Sequence, residues 1–224
     1  MEHFLYLKKI RMKPTFQKIG YPIFNVFDKN ASGCNNGIRV QYHRDIPTRV
    51  IVIETLSVFN QVLKAKLALK TSVIFVCLKG NSSKSTSGLI HYFKNQLPEL
   101  KICHFGDCGP EGVSIMVWNS LKVYKNKMPN RNFYDAKWIG IFPSQVSKYD
   151  VISYKTLSDR DRSLLVGFKN NNEWMNEKRK AKLKIISDSG KKYESETIFK
   201  EIGGFEVFFW DFLNRIQSGE CVAI

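Results

Sequence analysis

A chain of 224 residues that is 43% hydrophobic and carries 16 Phe can bury a core of its own, which excludes global disorder and any need for disulfide or metal staples. Lys and Arg number 35 against 20 Asp and Glu; the net +15 attracts polyanions and points to nucleic acid, a merely basic soluble surface being the plainer alternative. Five Cys, odd in number and unevenly spaced, argue for a reducing compartment and buried structural thiols rather than a disulfide framework, and no C-x-x-C pair or zinc spacing occurs.

Residues 1–48 read as a basic leader with a turn or exposed loop at Asp28 to Gly37, and carry no signal peptide. With no transmembrane run anywhere, a cytoplasmic protein without membrane contact is expected. The final Cys221-Val222-Ala223-Ile224 has the form of a prenylation box, but nothing else in the chain points to a membrane and a chance match is the better reading.

From Arg49 the pattern becomes that of an α/β core, assigned to residues 49–143. Val50-Ile51-Val52-Ile53 is a β-branched run suited to a strand buried on both faces, and a helix with Val58, Val62, Ala65 and Leu69 on one side follows. Val73 to Leu78 is a second strand, broken at Gly80. A helix capped by Ser82 or Ser83 carries Leu89, Ile90, Phe93 and Leu97 until Pro98 stops it. Lys101 to Phe105 is a third strand, Gly106 to Gly112 a tight loop, Val113 to Leu121 a helix, and Ala136 to Phe142 a fourth strand ended by Pro143. Alternation with short links predicts a mainly parallel sheet of about four strands covered on both faces. Residues 144–224 read as a helical extension packed on the core. It has a helix start at Ser158 to Asp161 and a basic run at 178–184. A stripe of Phe205, Phe209, Phe212 and Ile216 is assigned to the sheet rather than to a partner.

In such sheets the reactive loops lie beyond the carboxyl ends of the strands. Glu54 and Asp107 each follow a strand directly, so both carboxylates stand on one rim, where they can hold a hard cation such as Mg²⁺. A cation there stabilises charge on a phosphodiester and activates water. Gly80-Asn81-Ser82-Ser83-Lys84-Ser85-Thr86 echoes a P-loop but lacks its two glycines, so a nucleotide binder is a distant reading. A phosphate of DNA at this helix N-terminus is a nearer one. His104 lies close to the rim and reads as a structural histidine.

The string Ile53-Glu54-Thr55-Leu56-Ser57-Val58-Phe59, then Gly80, then Gly106-Asp107-Cys108-Gly109-Pro110-Glu111-Gly112, resembles a Toprim domain. The likeness is to the branch containing JetD, the nuclease component of Wadjet plasmid-defence systems, and the topoisomerase VI A subunit. It implies a Toprim-like fold, general acid/base work or metal binding for Glu54, and Mg²⁺ or Mn²⁺ binding for Asp107. Tyr193-Glu194-Ser195-Glu196 resembles a Glu-Gln-Glu element late in the JetD-like domain, which implies that Glu196 completes the catalytic set and Glu194 joins the acidic site. Gly109 stands where the family carries a second Asp, leaving Glu111 as the replacement ligand. Only 48 residues precede the core, too few for the winged-helix domain that carries the cutting Tyr, so strand transfer through Tyr is not expected.

The expected function is a divalent-metal-dependent DNA endonuclease in plasmid or phage defence; a degenerate Toprim module that binds DNA or a partner protein without cutting stays open. Double-stranded DNA is the expected partner, held by Lys79, Lys84, Lys178, Arg179, Lys180 and Lys182, with the 178–184 run otherwise a solvated helix face. Partner proteins of a defence complex and a homodimer are left open.

Overall fold

The structure is a computed structural model that describes residues 6–7, 40–41, 49–67, 71, 73–80, 84–120, 136–146, 152–170 and 175–218. Two short strands, β1 (Tyr6–Leu7) and β2 (Val40–Gln41), pair antiparallel within the segment read as a leader. The rest of that segment, including the Asp28 to Gly37 loop, lies outside the described residues, as do Leu69, Ser82 and Ser83.

The core runs β3 (Arg49–Ile53), α1 (Leu56–Lys64), β4 (Val73–Cys77), α2 (Lys84–Gln96), β5 (Lys101–Phe105), α3 (Pro110–Ser120), β6 (Lys137–Ile139) and α4 (Pro143–Val146). The four strands form one parallel sheet in the order β4-β3-β5-β6. Side chains alternate across a strand, so Ile51 and Ile53 face one core while Val50 and Val52 face another. Both faces are dry, which is why β3 reads as an unbroken β-branched run.

Two boundaries differ from the sequence reading. The fourth strand ends at Ile139 rather than Phe142, because Gly140 adopts a φ of +114° that turns the chain out of the sheet; Pro143 starts α4 instead of ending a strand. The third helix starts at Pro110, not Val113, since proline's fixed φ and missing N–H suit a first helical turn.

The C-terminal part is not wholly helical. β7 (Lys155–Thr156) and β8 (Lys191–Lys192) pair antiparallel and bracket α5 (Asp159–Lys169) and α6 (Glu177–Ser189). After them come α7 (Ser195–Glu201) and α8 (Phe205–Ser218). Ser158 opens α5 with a reciprocal capping box to Asp161, a device that contributes about 1 kcal/mol. Asp161 is itself buried and is paired at 2.8 Å with Lys192.

Phe205, Phe209 and Phe212 are buried, together with Phe208, which helical periodicity brings to the same face. The rings pack on two strands: the Phe105 centroid of β5 lies 5.6 Å from Phe212, 5.9 Å from Phe208 and 6.2 Å from Phe199 of α7, while Phe209 lies 5.6 Å from Phe75 of β4. Packing of this kind is the main source of stability in the C-terminal helices. The side chain of Ile216 lies outside the described residues. A third cluster joins α3 to α5 and α6 through Val113, Met116, Leu165, Phe168, Leu183 and Ile186. Among the described residues no helix is long and apolar enough to cross a membrane.

Candidate active site and nucleic-acid interface

Register sets the rim. Ile53 of β3 pairs with Phe105 of β5 and Cys77 of β4, so the residues that follow these strands emerge side by side. The Glu54 N–H donates to the Phe105 carbonyl at 3.0 Å, and the Gly80 N–H donates to the Glu54 carbonyl at 2.9 Å. The Glu54 backbone is thereby stitched to both neighbouring loops.

Glu54 is 8% exposed, and its carboxylate lies between two glycines. A Cβ on Gly106 would stand 2.4 Å from Glu54 Oε2; one on Gly112 would stand 3.0 Å from the same oxygen and 2.6 Å from the Asp107 carbonyl. Close approach of the backbone requires glycine at 112, whereas a methyl at 106 would displace the Glu54 carboxylate. The Asp107 N–H faces Glu54 Oε2 at 3.4 Å. Burial first, and then the neighbouring Asp107 carboxylate, raise the Glu54 pKa to about 7, the Asp107 N–H partly opposing them. At neutral pH this carboxyl is divided between its acid and base forms, the condition for proton transfer.

Asp107 is held differently. Its Oδ1 accepts the Ser195 N–H at 2.9 Å and so ties the rim loop to the start of α7. Burial raises its pKa, with the hydrogen bonds from Ser195 opposing. The next residue, Cys108, forms an antiparallel bridge with Tyr193, each N–H donating to the other's carbonyl at 3.0 Å. These contacts bring the late Tyr193-Glu194-Ser195-Glu196 element to the rim. Glu196 accepts from the Ser57 hydroxyl at the start of α1, and Glu194 pairs with Lys155 of β7. Glu111 forms an ion pair with Arg160 of α5 at 3.4 Å, and its charge adds to those that raise the Glu54 pKa.

Gly109, where the family has its second Asp, lies under Lys192: a Cβ there would be 3.1 Å from Lys192 Cβ and 3.6 Å from its Cδ. Any side chain at 109 would press on the lysine's aliphatic stem. The resemblance to Toprim domains implies a divalent metal, an expectation that the donor set can be held against. Among the described residues no group of three or more His, Cys, Asp or Glu side chains converges as a metal site. Glu54 and Asp107 alone leave a cation's shell incomplete, so an ion held by them would need further oxygens from a phosphate and water. They do not fit a cage closed by protein ligands alone.

The cations divide. Lys79 is exposed at the end of β4 with a φ of +55°, a conformation that is costly for a residue with a Cβ. Lys84 opens α2, its side chain outside the described residues. On α6, Lys178 is exposed, Arg179 is half-buried and Lys180 pairs with Glu177 at 2.8 Å. Lys182 leans inward, its ammonium 5.1 Å from the Phe142 ring centroid, and burial lowers its pKa. The basic run is therefore not one uniform stripe.

Sequence reasoning missed Lys155, Lys191 and Lys192, although Lys191-Lys192 directly precedes the recognised Tyr-Glu-Ser-Glu string and could have drawn notice. His104 is fully buried with no hydrogen-bond partner at either ring nitrogen; burial lowers its pKa to about 3, so the ring is neutral. Its Nε2 would lie 3.1 Å from a Gly106 Cβ, on the inner side of the rim. Cys103 and Cys108 are buried thiols, pushed up by burial to about 11 and about 12, which makes them structural rather than reactive.

Residues 49–213 match the Toprim domain of the topoisomerase 6 A-subunit/Spo11 family. The chain is also 24% identical over 153 residues to the A-subunit of the type 2 DNA topoisomerase 6 of Methanothermobacter thermautotrophicus. That alignment takes in 68% of this chain and 43% of the relative, so the chain spans under half the length of that protein. With the parallel sheet and the carboxylates at its rim, the match places the chain in the Toprim-domain family shared by Spo11 and the A-subunit of topoisomerase 6.

Proposed function

We propose that this chain is a DNA-binding Toprim module that seats the phosphate backbone of double-stranded DNA at the Glu54–Asp107 rim. The observation that carries the reading is Gly109 beside the Lys192 stem, a rim with one carboxylate fewer than the family motif, so that a cation there would draw on a phosphate to complete its shell. Asp107 and Glu54 are the residues that would hold Mg²⁺ or Mn²⁺, and the ion would neutralise phosphate charge. Lys79, Lys84, Lys178, Arg179, Lys180 and Lys182 contribute sequence-independent, salt-sensitive attraction to the backbone. The net charge of +15 and the likeness to part of a DNA topoisomerase both favour DNA as the partner.

A second reading, a divalent-metal-dependent endonuclease, is favoured by one observation: Glu54 titrates near pH 7 beside Asp107. There Glu54 takes the proton of the attacking water, and Glu196 steadies the rim through Ser57. Plasmid or phage defence is the setting that the JetD-like Asp-x-x-Pro-Glu-Gly string supports, with partner proteins or a second copy of the chain completing the assembly.

One assay separates the two readings. Purified protein is incubated with supercoiled plasmid and Mg²⁺ or Mn²⁺, beside the Glu54→Ala and Asp107→Ala variants. Retarded but intact plasmid, with binding that weakens steeply as salt rises, is the expected outcome. Nicking that both variants abolish would replace the binding reading with the nuclease.

A further inference from the structure

Residues 152–154 present an apolar and an aromatic side chain to solvent from a pinned backbone. Ile152 is 81% exposed and Tyr154 49% exposed. Beneath them the Glu201 carboxylate accepts the Ile152 N–H at 2.8 Å and the Ser153 N–H at 3.1 Å. The backbone is fixed by these bonds while its large side chains gain nothing from the core. The Tyr154 ring lies 6.3 Å from that of Tyr193, and the Lys191 ammonium sits 4.0 Å above it. Lys155 follows directly in β7, itself largely exposed. Tyr193 bridges Cys108, so this aromatic and cationic platform adjoins Asp107.

We propose that the platform holds single-stranded DNA beside the rim, with an unpaired base stacked on Tyr154 against Ile152 and its flanking phosphates on Lys155 and Lys191. A duplex keeps its base faces covered by neighbouring pairs; an unpaired base offers a π face to an exposed ring regardless of sequence. The Lys191 ammonium covers one part of an electron-rich ring that is otherwise half exposed, so a stacking base must displace it. As a base takes that face, Lys191 passes to the adjoining phosphate. Lys191 lies on one flank and Lys155, which exchanges its Glu194 partner for the phosphate, on the other; two ammonium groups at this spacing match a polyanion. The inference rests on the DNA-binding reading and adds to it a strand state and a place.

The test uses the full chain and two labelled probes of equal length, a dT oligonucleotide and a blunt duplex, followed by fluorescence anisotropy. Tyr154→Ala weakens binding of the single strand about tenfold, which is about 1.4 kcal/mol. Tyr154→Phe keeps the ring and holds affinity within about twofold. Both variants stay within about 3 °C of the parent Tm, since Tyr154 is half exposed and lies outside the buried clusters, and duplex affinity stays unchanged. Intact duplex binding with single-strand affinity indifferent to Tyr154→Ala would overturn the platform and leave the DNA reading standing. Equal loss on both probes would overturn the stacking role in favour of plain backbone contact. Failure of the parent protein to bind either probe would overturn both.

Discussion

Glu54→Gln should change how stability depends on pH, and the direction follows from burial. The carboxyl has a pKa of about 7 in the folded chain against an ordinary value of 4.5. Between those values the unfolded chain ionises at this position while the folded chain stays protonated, so rising pH favours unfolding. The contribution is fully present below 4.5 and is lost as pH rises through about 7. A pKa difference of one is worth about 1.4 kcal/mol, which makes the whole loss on the order of 3 kcal/mol. Glutamine has nearly the same shape and no proton to lose. The variant should therefore gain on the parent across this window and run parallel to it at higher pH. Urea unfolding of both proteins from about pH 4 to about pH 9 measures the difference directly. Curves that stay parallel throughout the window would refute the claim that the Glu54 carboxyl is desolvated between Gly106 and Gly112.

Three further outcomes follow from the packing. Gly112→Ala places a methyl 2.6 Å from the Asp107 carbonyl, a backbone atom that cannot swing aside as a side chain can; a loss of roughly 2 kcal/mol, read as a Tm lowered by about 6 °C, is expected. Gly109→Asp alone destabilises because the new side chain meets Lys192. Gly109→Asp combined with Lys192→Ala recovers stability and gains a rise in Tm with Mn²⁺ that the parent lacks in the absence of DNA. Phe212→Ala, at a fully buried site against Phe105, costs about 3 to 5 kcal/mol by chemical denaturation, whereas the exposed Val207→Ala costs under about 1 kcal/mol.

What the sequence made legible was whatever depends on local pattern. Val50 to Ile53 announces a strand because only a doubly buried strand tolerates four apolar β-branched residues in succession. Ser158 and Asp161 announce a helix start because the capping box is a four-residue device. The rim position of Glu54 and Asp107 follows from strand ends alone. The two-residue strands β7 and β8 were illegible, being too short to show a period and made only by pairing across two helices. The Lys192 stem over Gly109 was hidden for the same reason: no local signal links a lysine to a glycine far upstream in sequence. Phe208 was passed over because a stripe drawn at 205, 209 and 212 leaves out the neighbour that widens it to a face.

The pairing of Ile53 with Phe105 makes strand length a measuring rule. Side chains alternate at every step, so one residue added to or deleted from Arg49–Ile53 would carry Glu54 to a different place along the rim and turn the buried strand inside out in the same stroke. The acidic pair is thus specified by counting as much as by chemistry. A lineage could replace Gly109 by point substitution and keep its fold, but it could not move Glu54 by sliding β3 without dismantling two cores at once.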